Sequence, residues 1–279
     1  MTYIATLGPS GTFSDIVAEN FLETISDEAT VRYYSSIKNV LKSIGSECKY
    51  GVVPIENLSE GFIPIVLDFL VTSELQIIKE IIIPVNFSFV AKLNDSAKIT
   101  KIFVQFAAKG QCSEFVESIG EDIEIITTES NIESIERMLH NRENSGAVVP
   151  VHFVRYKDYP IFVQNINDFP NNQTRFFVVA AKDSACSVCA SSEYKTSVII
   201  INDNDRPGLL ANILSSFSQR KVNLFAITSR PTKEAFGKYH FFIGLSGHQN
   251  DAAIKDSLDE IKKIARVKVL GSYEKARML

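Results

Sequence analysis

The chain has 279 residues, 45% of them hydrophobic and 22% charged, which is the make-up of an ordinary globular protein and more chain than one hydrophobic core usually serves, so two domains are expected. The net charge of −4 divides into a basic tail, 13 Lys and Arg against 8 Asp and Glu from Thr196 onward, and an acidic remainder. No basic block is interleaved with aromatics, which argues against nucleic acid as a partner and leaves any anionic substrate to local donors.

The N-terminus has no basic-then-apolar leader, and no apolar run approaches the ~18 residues that span a membrane; a soluble cytoplasmic protein without a membrane partner is expected. In chain order, Tyr3–Leu7 reads as a strand, Gly11–Glu23 as a helix, Val31–Tyr34 as a strand, Ile37–Ile44 as a helix and Tyr50–Pro54 as a strand. A polar turn and a helix follow within "PIENLSEGFIPIVLDFLVTS". Leu75–Lys92 supplies two long strands joined near Pro84, and Ile99–Val104, Asp122–Thr127 and Ala147–Val149 are further strands with helices between them. Such alternation predicts parallel sheets with helices on both faces. The number of strands suits two small α/β lobes, residues 1–75 with 165–183 and residues 76–164. The late strand Phe176–Ala181 returns to the first, giving a hinged cleft.

The small-residue stretch "KDSACSVCASSEYK" reads as a linker over residues 184–195, and its Cys186 and Cys189 lack the second pair that a zinc site needs. From residue 196 the order is strand, helix, strand, strand, helix, strand, the βαββαβ of a ferredoxin-like sandwich. Its first helix spans Pro207–Gln219, with Asp205 as the expected N-cap.

Three stretches can carry chemistry. "LGPSGTFS" follows a strand and opens a helix, so free N–H groups and the Thr12 and Ser14 hydroxyls can receive an anion; a plain capped turn is the alternative. It lacks GxGxxG and GK[ST] spacing, which favours a carboxylate over a nucleotide. In "VPIENLSEGF", Glu56 and Asn57 end a strand at the carboxyl edge where open α/β sheets bind ligands, and Glu56 is either an acid or a solvated turn carboxylate. In "NNQTRFFVV", Thr174 offers a hydroxyl and Arg175 a guanidinium fork suited to a carboxylate or to a structural salt bridge. His140, His152, His240 and His248 complete neither a nucleophile triad nor an HExxH motif, so no metal site is expected.

Together these segments resemble the prephenate dehydratase family with a C-terminal ACT regulatory domain, over nearly the whole chain. "GPSGTFS", "VPIENLSEG" and "TRFFVV" are similar to its catalytic motifs, and "RPGLL", "SRP" and "KYHFFIGLSGH" to its phenylalanine-binding ACT segments. The resemblance implies a two-lobed, periplasmic-binding-protein-like α/β catalytic domain over residues 1–183 and a ferredoxin-like ACT domain over 196–279. It implies decarboxylative loss of water from prephenate to give phenylpyruvate without metal or organic cofactor, under feedback by L-phenylalanine, in a homodimer or homotetramer. Thr174, Asn57 and Gln111 would be catalytic, with Thr12, Phe13, Ser14, Glu56, Arg175 and Phe176 binding substrate. Gly208, Leu209, Leu210, Asn223, Thr228, Ser229 and Arg230 would receive phenylalanine. Leu58, Val66, Val104 and Thr228 depart from the family pattern, Val104 where a serine is usual. An arogenate dehydratase, or a sensor that has lost activity, are the alternatives.

Overall fold

The structure is a computed structural model; it describes residues 1–25, 28–120, 122–141, 144–155, 158–182, 193–201 and 206–276. Cys186, Cys189 and Asp205 lie outside these residues. The elements run β1 (Thr2–Leu7), α1 (Phe13–Leu22), β2 (Ala29–Tyr34), α2 (Ile37–Ser43), β3 (Tyr50–Asn57), β4 (Gly61–Phe62), α3 (Pro64–Thr72), β5 (Leu75–Pro84), β6 (Phe87–Ala91) and β7 (Lys101–Gln105). There follow α4 (Phe106–Gln111), α5 (Ser113–Ile119), β8 (Glu124–Thr128), α6 (Asn131–His140), β9 (Ser145–Pro150), β10 (Ile161–Gln164) and β11 (Gln173–Ala181). The tail holds β12 (Tyr194–Ile201), α7 (Leu209–Gln219), β13 (Leu224–Pro231), β14 (Tyr239–Ser246), α8 (Ala252–Ile261) and β15 (Arg266–Glu274). Among the described residues no helix is long and apolar enough to cross a membrane.

Three sheets form. The first has the order β2-β1-β3-β11-β5, with β1 parallel to β2 and β3 and with β11 antiparallel between β3 and β5. Seven of the eight residues of β3 and six of the nine of β11 are buried, as central strands of a sheet covered on both faces require. The second sheet has the order β10-β6-β9-β7-β8. The strand Leu75–Pro84, expected in the second lobe, is the edge strand of the first sheet, paired with β11 from Leu75 to Pro84. The crossing therefore falls after Pro84, a residue with no N–H to carry a ladder onward.

Two adjacent passages of chain join the sheets, and they are tied to each other. Asn167 accepts from the Phe87 amide through Oδ1 at 2.8 Å and donates Nδ2 to the Val85 carbonyl at 2.9 Å, while the Val85 amide donates to the Asn172 carbonyl at 2.9 Å.

The third sheet, β13-β14-β12-β15, is antiparallel, and its strands and two helices give the expected βαββαβ order. The β12 strand begins at Tyr194, inside the segment expected as linker, and α7 begins at Leu209 behind Gly208 (φ 84°) rather than at Pro207. Strand alternation gives this sheet two apolar faces. Val198, Ile200, Ile243 and Leu245 pack under α7 and α8, while Ile199, Ile201, Phe242 and Leu270 join the core of the first lobe with Leu75, Ile77, Phe177 and Val179.

Candidate active site

Parallel strands β1 and β3 end at the same edge of the first sheet, so the turn before α1 and the residues at Asn57 are brought together by topology. Antiparallel β11 starts at that edge, and its register sets Thr174 beside Asn57. Asn57 Nδ2 donates to Thr174 Oγ1 at 2.9 Å, and both residues are buried, at 9% and 8% exposure. The Asn57 Oδ1 accepts from the Ser59 amide at 2.9 Å, which fixes the amide's orientation.

The second lobe reaches this edge through Gln111, the last residue of α4. Gln105 caps that helix, its Oε1 accepting from the amides of Ala107 and Ala108. Gln111 donates Nε2 to Glu60 Oε1 at 3.0 Å and accepts from Asn172 Nδ2 at 2.9 Å. Asn172 is only 2% exposed, and its Oδ1 has no partner among the described residues. A groove of about 520 Å³ opens beside Glu60 along α4 and α5, lined in part by Phe106, Lys109 and Val116. Its lining includes neither Thr174 nor Asn57.

The turn before α1 is built by Asp15, which accepts from the Gly11 amide at 2.6 Å, Ser10 Oγ at 3.0 Å and the Tyr33 hydroxyl at 2.6 Å. Thr12 is the N-cap of α1: its hydroxyl donates to the Leu7 carbonyl and accepts from the Asp15 amide, both at 3.3 Å. The Thr12 hydroxyl, read from sequence as an anion donor or a cap, is in the structure the cap. Gly11's amide is likewise taken by Asp15. The backbone amides of Phe13 and Ser14 open the first turn of α1 and belong to the positive end of its dipole. Ser14 itself is buried at 7% exposure.

Phe13 bridges the lobes. Its ring meets Phe87 edge-on at 5.8 Å and His152 at 5.2 Å, and His152 in turn stacks edge-on against Phe153 at 4.8 Å. Burial holds the His152 pKa below its ordinary value, against the opposing pull of the Gly11 backbone and the Asp15 charge.

Glu56, Arg175 and Phe176, expected to bind substrate, point elsewhere. Phe176 is 1% exposed within the core of the first lobe. Arg175 Nη1 lies 3.1 Å from Glu56 Oε2, and its Nε 3.2 Å from Glu80 Oε1. The salt-bridge alternative for Arg175 is therefore the one the geometry holds, because a strand cannot turn adjacent side chains to one face. Val104 is fully buried in β7 among the second lobe's core residues.

In the tail, Leu209, the first residue of α7, is buried, Asn223 Nδ2 donates to Ser246 Oγ at 3.2 Å, and Thr228 and Ser229 lie on edge strand β13. Arg230, expected to receive phenylalanine, pairs with Asp68 of α3 at 2.9 and 3.2 Å. Those bonds, with that of Lys233, hold the Asp68 pKa below its ordinary value against the opposing effect of burial.

Sequence reasoning missed Glu60, Asn172, Asp15 and His152. Asn172 stood inside the polar run Asn171–Arg175 and Glu60 inside "LSEG", so proximity to a motif was the available signal. Among the described residues no cluster of three His, Cys, Asp or Glu side chains is placed to hold a metal ion.

Residues 4–184 match the family model of prephenate dehydratase, and residues 196–263 that of the ACT domain. A bifunctional chorismate mutase/prephenate dehydratase from Aquifex aeolicus is 33% identical, covering 98% of this chain and 74% of that protein. A prephenate dehydratase from Methanocaldococcus jannaschii is 28% identical, covering 95% of each. The crystal structure of a prephenate dehydratase from Arthrobacter aurescens in complex with L-Phe superposes with a TM-score of 0.81 at 29% identity, covering 99% of this chain and 90% of that one.

Proposed function

The chain belongs to the prephenate dehydratase family, and from that premise we propose that Thr174 and Asn57 form the reacting centre for loss of water and CO2 from prephenate. The enzyme is a carbon–oxygen lyase with an ACT regulatory domain. The bond from Asn57 Nδ2 to Thr174 Oγ1 is the observation that carries the reading. It occupies a lone pair of the threonine oxygen and leaves the hydroxyl hydrogen available to the substrate.

In the reaction, the C–C bond to the ring carboxylate breaks and its electron pair enters the ring. The ring C–O bond breaks, and the departing oxygen, gaining negative charge, receives a strengthening hydrogen bond from Thr174 and then a proton taken up from solvent, leaving as water. A threonine is a weak acid, so its contribution lies in being fixed before the charge develops. Positioned proton donation of this kind is worth about 10² to 10⁴ in rate, or roughly 3 to 5 kcal/mol. The Phe13 and Ser14 amides at the start of α1 suit a substrate carboxylate, and Gln111, tied to Glu60 and Asn172, brings the second lobe to the site.

The proposal extends to regulation. The Arthrobacter aurescens relative is in complex with L-Phe, and L-phenylalanine is here the effector, received near Gly208, Leu209, Leu210, Asn223, Thr228 and Ser229, with Arg230 committed to Asp68. A cytoplasmic homodimer or homotetramer completes the reading. The test follows phenylpyruvate formation from prephenate by the purified protein and by Thr174→Ala. Clear wild-type turnover that drops at least ~100-fold in the variant is expected; equal rates would remove Thr174 from the mechanism.

A further inference from the structure

Register and alternation together give β3 and β11 two functional faces. Thr174 stands opposite Asn57 and Arg175 opposite Glu56, with a β-bulge between Arg175 and Phe176. The pair that touches the reaction and the pair behind it are thus adjacent along both strands and turned to opposite sides.

Behind the sheet the charges form a chain into the ACT domain. Arg175 contacts Glu56 at 3.1 Å and Glu80 at 3.2 Å, and the Glu80 side chain is wholly excluded from solvent. Lys195 of β12 holds both Glu80 oxygens, at 2.7 and 2.8 Å. Phe225 of β13 lies under both cations, its ring centroid 5.3 Å from Arg175 Cζ and 4.6 Å from Lys195 Nζ. A buried carboxylate between two cations cannot lose one without being left underpaired, although the Arg175 Nε faces Glu80 as an ion pair without a hydrogen bond among the described residues. The strand that carries Phe225 also carries Thr228 and Ser229.

We propose that Arg175 is a positioning residue through which the ACT domain sets the Thr174–Asn57 hydrogen bond, the Glu56–Arg175–Glu80–Lys195 chain over Phe225 being the connection from β13 to the reacting hydroxyl. The inference rests on the assignment of prephenate chemistry to Thr174 and of phenylalanine binding to the ACT domain. A shift of β13 on effector binding moves the ring beneath both cations and, through Arg175, the segment of β11 that includes Thr174. Because Arg175 acts through its neighbour, its loss is expected in kcat and in the phenylalanine response rather than in KM.

The experiment uses the full-length enzyme with prephenate, with and without L-phenylalanine. Compared are wild type, Arg175→Met, Arg175→Lys, Phe225→Leu and the double variant Glu80→Gln with Lys195→Met, which removes a buried charge pair together and so spares the fold an unpaired ion. Expected for Arg175→Met is a fall in kcat of at least tenfold with KM within threefold, partly restored by Arg175→Lys. Phe225→Leu and the double variant are expected to raise the half-inhibitory phenylalanine concentration at least fivefold. A tenfold rise in KM at unchanged kcat in Arg175→Met would make Arg175 a substrate ligand and overturn the inference. Wild-type phenylalanine response in both Phe225→Leu and the double variant would overturn it too. An inactive wild type would instead overturn the functional reading on which it stands.

Discussion

Asn57 and Thr174 show how a weak acid can be given a direction. The Ser59 amide claims the Asn57 Oδ1, so Nδ2 must face Thr174, and the threonine oxygen then accepts rather than donates. In the proposed mechanism its hydrogen is left for the substrate's departing oxygen. Asn57→Asp keeps the shape but replaces the donor with an acceptor, and Thr174 then donates to the new carboxylate, the stronger partner. We expect kcat to fall about 100-fold or more with KM changed only a few-fold. Steady-state phenylpyruvate formation measures both, and a kcat within threefold of wild type would show that the donor's direction is irrelevant. The same logic explains why Asp15 is buried so near the turn proposed to hold a substrate carboxylate: with three donors around its carboxylate, its charge is spent within the loop.

Among the elements, what the sequence made legible was local. Thr174 was readable because five polar residues run straight into the buried strand of Phe176 to Ala181, and the α7 and α8 helices because their apolar spacing is near 3.6. Which side Arg175 faces was not readable, since Glu56, Glu80 and Lys195 are brought to it only by strand register. The sheet to which β5 belongs was hidden for the same reason: its alternation is the same in either sheet, and only its ladder with β11 decides. Gly271 is a further case, ordinary in sequence yet fixed by a distant strand. It has φ +146°, and a Cβ there would run into the backbone carbonyl of Ile77 on β5. Gly237 also has positive φ, +87°, but nothing lies within 4 Å of its would-be Cβ. Gly237→Ala should cost about 1–2 kcal/mol from conformation alone, whereas Gly271→Ala should cost about 3 kcal/mol or more, because neither backbone can yield cheaply. Denaturant midpoints at equal m-value compare them; matched shifts would mean that β15 does not press on β5.

At the scale of the whole molecule, the ACT sheet is part of the catalytic lobe's interior. One buried cluster contains Ile199, Ile201, Phe242, Leu270 and Tyr273 from the tail together with Val53, Leu67, Ile77 and Phe177 from the first lobe. Tyr273 packs edge-on against Phe177 at 5.5 Å, and its hydroxyl meets Ser197 Oγ at 2.7 Å; burial, with the Glu80 charge, pushes its pKa well up. Outside that cluster, Lys268 Nζ donates to the carbonyls of Val71 and Ser73, and Arg230 and Lys233 grip Asp68. The second lobe, by contrast, has its own buried clusters and meets the first at the two crossings and the Phe13 and Gln111 contacts. Cooperative opening should follow these cores rather than the boundaries of the sequence motifs. Leu270→Ala removes a fully buried side chain and should cost about 2–5 kcal/mol. If the first lobe and ACT domain are one unit, amide exchange should accelerate by tens of fold in β5 and β11 as well as in β12 and β15, and stay near wild type in β6, β7 and β9. Native-state hydrogen exchange reads each strand separately. Acceleration confined to β12 and β15 would mean that the ACT domain opens alone, and a rigid mechanical link between it and Thr174 would then have no physical basis.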